Sequence, residues 1–358
     1  MTDAFAQHFG NPLAEQRALA AGRALAPLGD RRVLAATGPD RLTWLDSITS
    51  QALTALQPGE STELLVLDPQ GRVEHAAGVI DDGETTWLLV DAPDADPLLT
   101  WLQRMRFRAA VELRPADEYA VIGAVGTGAV PGQLVAAPHD VPLVWHDPWP
   151  GVTAGGWGYA PADPHPGAAW EWVEAIVPTG AWSELAERAE PGALAGLLAA
   201  DALRVAAWRP RRSAEVDERT IPHEVDWLRT AVHLAKGCYR GQETVAKVHN
   251  LGHPPRRLVL LHLDGSDSVL PVHGDAVRAG DSEVGVVTSA VRHYEDGPIA
   301  LALVRRSTPA DADLVVDADG TAIGAAQEVI VPADAGATAS VPRIPRLGSA
   351  RRTPQESQ

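Results

Sequence analysis

The stretch Ala235 to Asn250, AKGCYRGQETVAKVHN, constrains this chain more than any other. It holds the sole cysteine, Cys238, and the sole two lysines, Lys236 and Lys247, in 358 residues whose other basic side chains are all arginine. Lys236, Cys238 and Arg240 lie two apart, so an extended segment would put them on one face, with two cations flanking one sulfur. Gly237 and Gly241 bracket the triplet and permit unusual backbone angles or close approach of a ligand. From Gln242 to His249 the pattern predicts a short helix, with Glu243 in the first turn, where the dipole favours an anion. Asn250 and Gly252 can cap its end. A thiol ahead of a helix N-terminus and beside Lys and Arg is in the setting that favours the thiolate. Cys238 is therefore a candidate reactive thiolate; the competing reading, a small buried hydrophobe, is disfavoured by its basic neighbours. Lys247, four residues after Glu243, reads as half of an ordinary helix ion pair.

A chain of this length is expected to form two or three domains. With 45% hydrophobic and 22% charged residues it has the composition of a soluble globular protein. One cysteine excludes an intrachain disulfide framework and a multi-cysteine metal site. His223, His233, His249 and His253 fit no zinc spacing, so no metal is expected. The N-terminus lacks a signal-peptide pattern and no run is apolar enough to span a membrane, which makes the cytoplasm the expected compartment. A net charge of −17 argues against broad binding to nucleic acid. Between Arg204 and Arg257, however, 11 Lys and Arg face 6 Asp and Glu, a local balance of +5. This region is read either as a site for a small polyanion or as a stripe of solvated arginines.

In chain order the pattern predicts a helix over Pro12 to Ala26, a strand over Arg32 to Thr37, and a helix opened by Gly38-Pro39-Asp40 with Leu42, Leu45 and Ile48 at helical spacing. Glu63 to Asp91 reads as a three-stranded meander with turns at Pro69-Gln70-Gly71 and Asp81-Asp82-Gly83. A helix follows over Asp94 to Arg108, then strands at Val111 to Leu113 and Tyr119 to Val125. The order β-α-β-β-β-α-β indicates an α+β fold rather than a doubly wound sheet. The Gly123 to Gly132 run lacks the GxGxxG spacing of a dinucleotide site. Pro131 to Pro166 is dense in Pro, Gly and Trp, with short strands expected at Val141 to Trp145 and Gly156 to Ala160. Helices are expected over Ala181 to Glu190 and Ala193 to Trp208. After Arg257, short apolar strands separated by Gly and Asp turns predict a small antiparallel barrel. From Ala333 the composition predicts a disordered tail. The expected division is a body over 1–250, a barrel over 251–332 and a tail over 333–358.

The run KGCYRGQE resembles the signature of the YgfZ family of folate-binding proteins, relatives of the glycine cleavage T-protein, an aminomethyltransferase. DRLTWLDSITSQAL, LDPQGRV, DERTIPHEVDW and the VGVVTSA and IALALVRR strands extend the resemblance over most of the chain. It implies a T-protein-like body of two α+β subdomains around a central opening, a C-terminal antiparallel β-barrel, and Cys238 lining the opening. It implies tetrahydrofolate as ligand, and a role assisting iron–sulfur cluster assembly or repair in client enzymes, some of which modify tRNA, through Cys238. Lys236, Gly237, Tyr239, Arg240, Gly241, Gln242 and Glu243 would be the motif residues. No direct nucleic-acid or membrane partner follows from it. Most of the 11 tryptophans fall between Trp145 and Trp227; core packing accounts for most, and a stacking wall for a pteridine is the alternative.

Two departures stand out. The T-protein's catalytic Asp aligns with Gln51, after Ser50. In ALRVAAW, Arg204 matches the family, but Ala206 stands where many relatives carry a folate-contacting Glu, and Trp208 where they carry Gly. Arg204, Gln51 and Glu224 remain as candidate folate contacts. A folate-dependent one-carbon transferase is the first alternative, and it would need the carboxylate that Gln51 lacks. A thiol enzyme with Cys238 as nucleophile and a histidine base is the second.

Overall fold

The computed structural model describes residues 6–339 except 127, 189, 191 and 267. The first helix, α1 (Pro12–Ala20), is capped by the Asn11 side chain and stops six residues earlier than the pattern predicts. Gly22 adopts a φ of 65° there, and the N–H groups of Gly22 and Arg23 turn back onto the carbonyls of Leu19 and Ala18. That pair of bonds is a Schellman stop, which glycine accepts without a steric cost.

The next elements are β1 (Ala26–Pro27), β2 (Arg31–Thr37), α2 (Arg41–Ile48), β3 (Ser61–Leu67), β4 (Val73–Asp81), β5 (Thr85–Asp91), α3 (Ala92–Met105) and β6 (Glu112–Pro115). Five of these strands form an antiparallel sheet in the order β3-β4-β5-β2-β6. One face of it packs against α2 and α3 through Leu34, Leu45, Val66, Leu88, Leu98 and Leu102. A second sheet, ordered β1-β7-β9-β8, is built from β7 (Tyr119–Val125), β8 (Val144–His146) and β9 (Trp172–Pro178) together with β1. It is covered by α4 (Thr179–Arg188) through Ile122, Val173, Val177 and Trp182. The other faces of both sheets share the largest core, to which α5 (Leu197–Ala206) contributes Ala199, Ala202 and Val205. A short turn of helix, α6 (Arg212–Glu215), and then α7 (Gln242–Leu251) lead to the barrel.

The barrel consists of β10 (Arg256–Leu263), β11 (Ala276–Ala279), β12 (Ser282–His293), β13 (Gly297–Arg305), β14 (Leu314–Ala318) and β15 (Thr321–Val329). It closes in the order β10-β13-β12-β11-β14-β15, because β10 pairs antiparallel with both β13 and β15. Alternate residues such as Val259, Leu261, Ala302, Val316 and Ile323 fill its interior. The fold is thus α+β with a closed six-stranded antiparallel barrel.

Two local expectations fail for identifiable reasons. Gly156 to Ala160 forms no ladder; Trp157 and Tyr159 instead donate their N–H groups to the Leu228 carbonyl and the Asp226 carboxylate. Residues 333–339, expected to belong to a disordered tail, are instead tied to the fold. Ala337, Thr338 and Ala339 donate N–H groups to the carbonyls of Val248, His249 and Asn250, satisfying the open end of α7. Residues 340–358, the rest of that expected tail, lie outside the described residues. Among the described residues no helix is long and apolar enough to cross a membrane.

Candidate functional site

A cavity of about 770 Å³ lies where the two sheets of the body meet α5 and the barrel. Four indoles line it, from Trp145, Trp170, Trp172 and Trp227. Trp170 and Trp172 are stacked, with ring centres 5.1 Å apart and planes 11° from parallel. Two glycines make room for these rings. A Cβ on Gly123 would come within 2.2 Å of Trp172, and one on Gly78 within 2.9 Å of Trp145. Gly123 of β7 thus leaves space for an indole of its neighbour β9, and Gly78 of β4 for an indole of β8 in the facing sheet.

The indole N–H groups are anchored by acceptors. Trp170 donates to Asp147 at 2.8 Å, Trp227 to Glu63 at 3.2 Å, and Trp145 to the Thr62 carbonyl at 2.6 Å. Behind them, Arg209 binds Asp147 from Nε at 2.9 Å and Glu63 from Nη2 at 2.7 Å. Thr230 also donates to Glu63. Burial opposes the Arg209 charge, and Asp147 and Glu63 more than offset it, so the guanidinium stays above its usual pKa. On the opposite side Arg31 pairs with Glu174 at 2.9 Å and with Asp91 at 2.9 Å. Burial pushes the Asp91 carboxyl up, but Arg211 and Arg31 outweigh it and hold the group below the usual carboxylate range.

Arg209 is aimed by a strained turn. After α5 the N–H groups of Trp208 and Arg209 bond to the carbonyls of Val205 and Arg204, which is the Schellman arrangement again. Here the left-handed position is filled by Trp208, with a φ of 60°. A side chain there costs about 1–2 kcal/mol. Its indole is almost fully buried and meets His165 edge-on at 5.4 Å, so packing holds the conformation.

Of the three candidate folate contacts, the structure brings one to this cavity. Arg204 lines it, bound to Asp201 at 2.7 Å, Glu215 at 2.9 Å and the Ser289 hydroxyl of the barrel at 2.8 Å. Gln51 does not line it. Its Nε2 donates to the Thr230 carbonyl at 2.8 Å and its Oε1 accepts from Ala52 N–H, so the amide is consumed by the main chain. Ser50 is similarly spent, donating to the Ala231 carbonyl and accepting from Leu65 N–H. Glu224 is fully buried against Arg256 at 2.8 Å and is a structural ion pair, not a ligand contact.

Five arginines of the basic region are neither free for a polyanion nor merely solvated. Arg204, Arg209, Arg211, Arg240 and Arg256 each pair with one or more carboxylates from other segments at 2.6–2.9 Å. The sequence count saw the arginines together because their partners, such as Asp30, Glu63, Glu74, Asp91 and Asp147, lie far off in the chain.

The cysteine motif is built differently from the sequence expectation. Cys238 is exposed, and the loop that carries it is irregular rather than extended. Lys236 turns inward and donates to the carbonyls of Asp46, Thr49 at 2.9 Å and Gln51 at 2.8 Å, with the Asp46 carboxylate 3.5 Å away. Burial pushes its ammonium pKa down, and Asp46 offsets part of that. The same ammonium lies 5.4 Å over the Tyr239 ring. Arg240 binds Glu74 of β4 at 2.6 Å. Both cations are thus engaged by the protein, and the pair flanking a sulfur is replaced by two anchors. Gly241, with a φ of 85°, opens α7 against the β3–β4 turn, where a Cβ would come within 2.6 Å of the Asp68 carbonyl. Its close neighbour is a hairpin rather than a ligand. Gln242 donates from Nε2 to the Lys236 carbonyl, Glu243 sits exposed in the first turn of α7, and a Cβ on Gly237 would meet open space. Lys247 is exposed and forms no ion pair with Glu243 among the described residues. The wall of this cavity includes none of residues 236–243, so Cys238 does not line it.

The four histidines bring no metal site with them: among the described residues no group of three or more His, Cys, Asp or Glu could hold an ion. His223 instead donates from Nε2 to the Val245 carbonyl at 3.1 Å, and burial lowers its pKa to about 3. His249 meets the Tyr159 hydroxyl at 3.0 Å.

The C-terminal part of the chain has a recognisable counterpart. Residues 256–332 match the glycine cleavage T-protein C-terminal barrel domain. No curated protein matches the chain. Among solved structures, glycine cleavage system aminomethyltransferase T from Bartonella henselae superposes with a TM-score of 0.68 at 18% identity, covering 90% of this chain and 89% of that one. The fold is that of the glycine cleavage T-protein.

The residues that the sequence reading missed at the cavity are Glu63, Asp147, Glu174 and Arg209. The one signal for them was the crowd of tryptophans, whose indole N–H groups need buried acceptors.

Proposed function

We propose that this protein binds tetrahydrofolate in the cavity of the body without transferring an aminomethyl group, and that it assists iron–sulfur client enzymes, including tRNA-modifying ones, through Cys238. The observation that carries the folate reading is the cavity of about 770 Å³ with four indoles in its wall, two of them stacked, within an aminomethyltransferase fold. Its volume, and a wall that mixes indoles with buried charged groups, suit a fused-ring ligand of that size. Tetrahydrofolate, when bound, would supply a one-carbon carrier. What this chain's residues do is hold the ring between Trp145, Trp170, Trp172 and Trp227 and exclude water from it.

The argument against transfer is the amide at position 51. A carboxylate is needed there to orient or deprotonate an amine, and Gln51 is both uncharged and tied to Thr230 and Ala52. The thiol-enzyme alternative has no base: no histidine hydrogen-bonds Cys238 among the described residues. An exposed thiol on a loop pinned by Lys236 and Arg240 suits presentation to a second protein, which is what the proposed client role requires.

Calorimetric titration with tetrahydrofolate tests the first part, with micromolar binding expected; silence towards every folate would remove the ligand from this reading. Glycine cleavage assays with the partner proteins supplied should show no turnover. In cells lacking the native protein, Cys238→Ser should fold normally yet fail to restore iron–sulfur enzyme activity.

A further inference from the structure

Arg209 is more than nine-tenths buried and lines the cavity. Its Nε and Nη2 are taken by Asp147 and Glu63, while its Nη1, also buried, has no hydrogen-bond partner. A buried guanidinium N–H left unpaired is costly, of order 1–3 kcal/mol. The side chain is also over-determined: it lies 5.2 Å over the Trp149 ring and 5.9 Å over that of Trp227, and it is delivered there by the strained Trp208 turn. Such strain next to a cavity, combined with an unmatched donor, points to an acceptor arriving from outside the protein.

The character of that acceptor follows from the charges. Arg209 already faces two carboxylates, so a third anion beside it would be repelled by Glu63 and Asp147. A neutral carbonyl oxygen meets the need without adding charge. Nor does this part of the wall offer a free acceptor for ring N–H groups, since Glu63, Asp147 and Glu174 are each committed to an arginine. Among Arg209, Glu63, Asp147 and Glu174, the one buried polar atom left without a partner is the donor Arg209 Nη1.

We infer that Arg209 sets the ligand specificity of this cavity by donating from Nη1 to the ring carbonyl of the bound pterin. This rests on the folate reading above and adds which edge of the ring the protein reads. A 4-oxo pterin places an acceptor at that edge. A 4-amino pterin places N–H donors there, facing the guanidinium, and should be rejected.

The test compares tetrahydrofolate with tetrahydroaminopterin, which differs in the 4-amino group, by titration of the full-length wild-type protein. The 4-amino ligand should bind about ten- to a hundredfold more weakly, the range for losing a hydrogen bond to a charged group. Arg209→Lys keeps a cation for Glu63 and Asp147 but removes the Nη1 donor, and the ratio between the two ligands should fall below about threefold. Because the wild-type comparison stands alone, a lysine variant that fails to fold does not protect the idea. Equal wild-type affinities for the two ligands would overturn the role of Arg209, as expected if a water serves Nη1, and would leave folate binding in place. Absence of binding by either ligand overturns both.

Discussion

Lys236 holds its ammonium 2.8 Å from the carbonyl oxygen of Gln51, and this bond ties the cysteine loop to the segment where the resemblance to the T-protein implies a catalytic carboxylate. The same ammonium serves Thr49 and Asp46, so one side chain closes three carbonyls in the last turn of α2 and just beyond it. The side chain is only 4% exposed. Lys236→Met should therefore destabilise the protein by about 2–3 kcal/mol, the cost of leaving buried carbonyls unpaired. Lys247→Met is the control, since that lysine is exposed and unpaired; it should stay within about 0.5 kcal/mol of wild type. Urea denaturation of the two variants decides the matter. Equal stabilities would mean that Lys236 is free to act on the thiol, as the sequence first suggests.

Asp226 makes stability depend on pH. Burial lifts its carboxyl to about 7, against smaller opposing effects from the Tyr159 N–H and Arg229. An unfolded Asp titrates near 3.9. Between roughly pH 4 and 7 the folded chain keeps a proton that the unfolded chain has released, so stability from this group is lost as pH rises through the window. His223, lowered to about 3, and His165, lowered to about 4, both by burial, act in the opposite direction. They lose stability as pH falls below about 6.5, because the unfolded imidazoles take up protons that the folded ones refuse. In Asp226→Asn the histidine effects remain and cancel in the comparison. The stability of the variant relative to wild type should climb by up to about 1.4 kcal/mol per pH unit between pH 4 and 7 and flatten above it. A difference that is constant across that range would mean that Asp226 is ionised throughout.

The pairing of the basic region determines what a polyglutamate tail gains. Sequence counting suggests that added carboxylates would find free arginines, but Arg204, Arg209, Arg211, Arg240 and Arg256 are already matched by carboxylates at 2.6–2.9 Å. A triglutamyl folate should bind within about threefold of the monoglutamyl form at physiological salt, where surface attraction is screened beyond about 8 Å. A preference of tenfold or more that vanishes in high salt would reveal a basic face that the ion pairs do not neutralise.

What the sequence made legible was set by the range of the interactions. β7 runs from Tyr119 to Val125 as its apolar run predicts, and α7 opens at Gln242 after Gly241, because strand and helix signals are local. The barrel was readable for the same reason. The roles of Gln51, Glu224 and Lys236 were not, since each is fixed by partners such as Thr230, Arg256 and Asp46, which lie 32 to 190 residues away. The cavity was half visible: tryptophans were counted, but the carboxylates that anchor them come from β3, β9 and the loop after β8. Trp208 in a left-handed turn ran against local preference, and only tertiary packing explains it.

The strap after the barrel supports the helix that follows the cysteine loop. Ala337, Thr338 and Ala339 close the last carbonyls of α7, and His253 meets the Ala335 carbonyl at 2.8 Å. Gly336 makes this approach feasible, with a φ of 87° and no room for a side chain: a Cβ would come within 2.3 Å of the Gly252 carbonyl oxygen. Gly336→Ala should lift the strap and leave those carbonyls to water. The cost should appear locally, as faster amide hydrogen exchange across residues 242–251, with the barrel strands unchanged. Gly320→Ala provides the comparison, because Gly320 has a similar φ of 78° but open space around its Cβ position, so it carries the backbone strain without the collision. Its effect should stay at the β14–β15 turn. Exchange in α7 that is the same in both variants as in wild type would show that the helix stands without the strap.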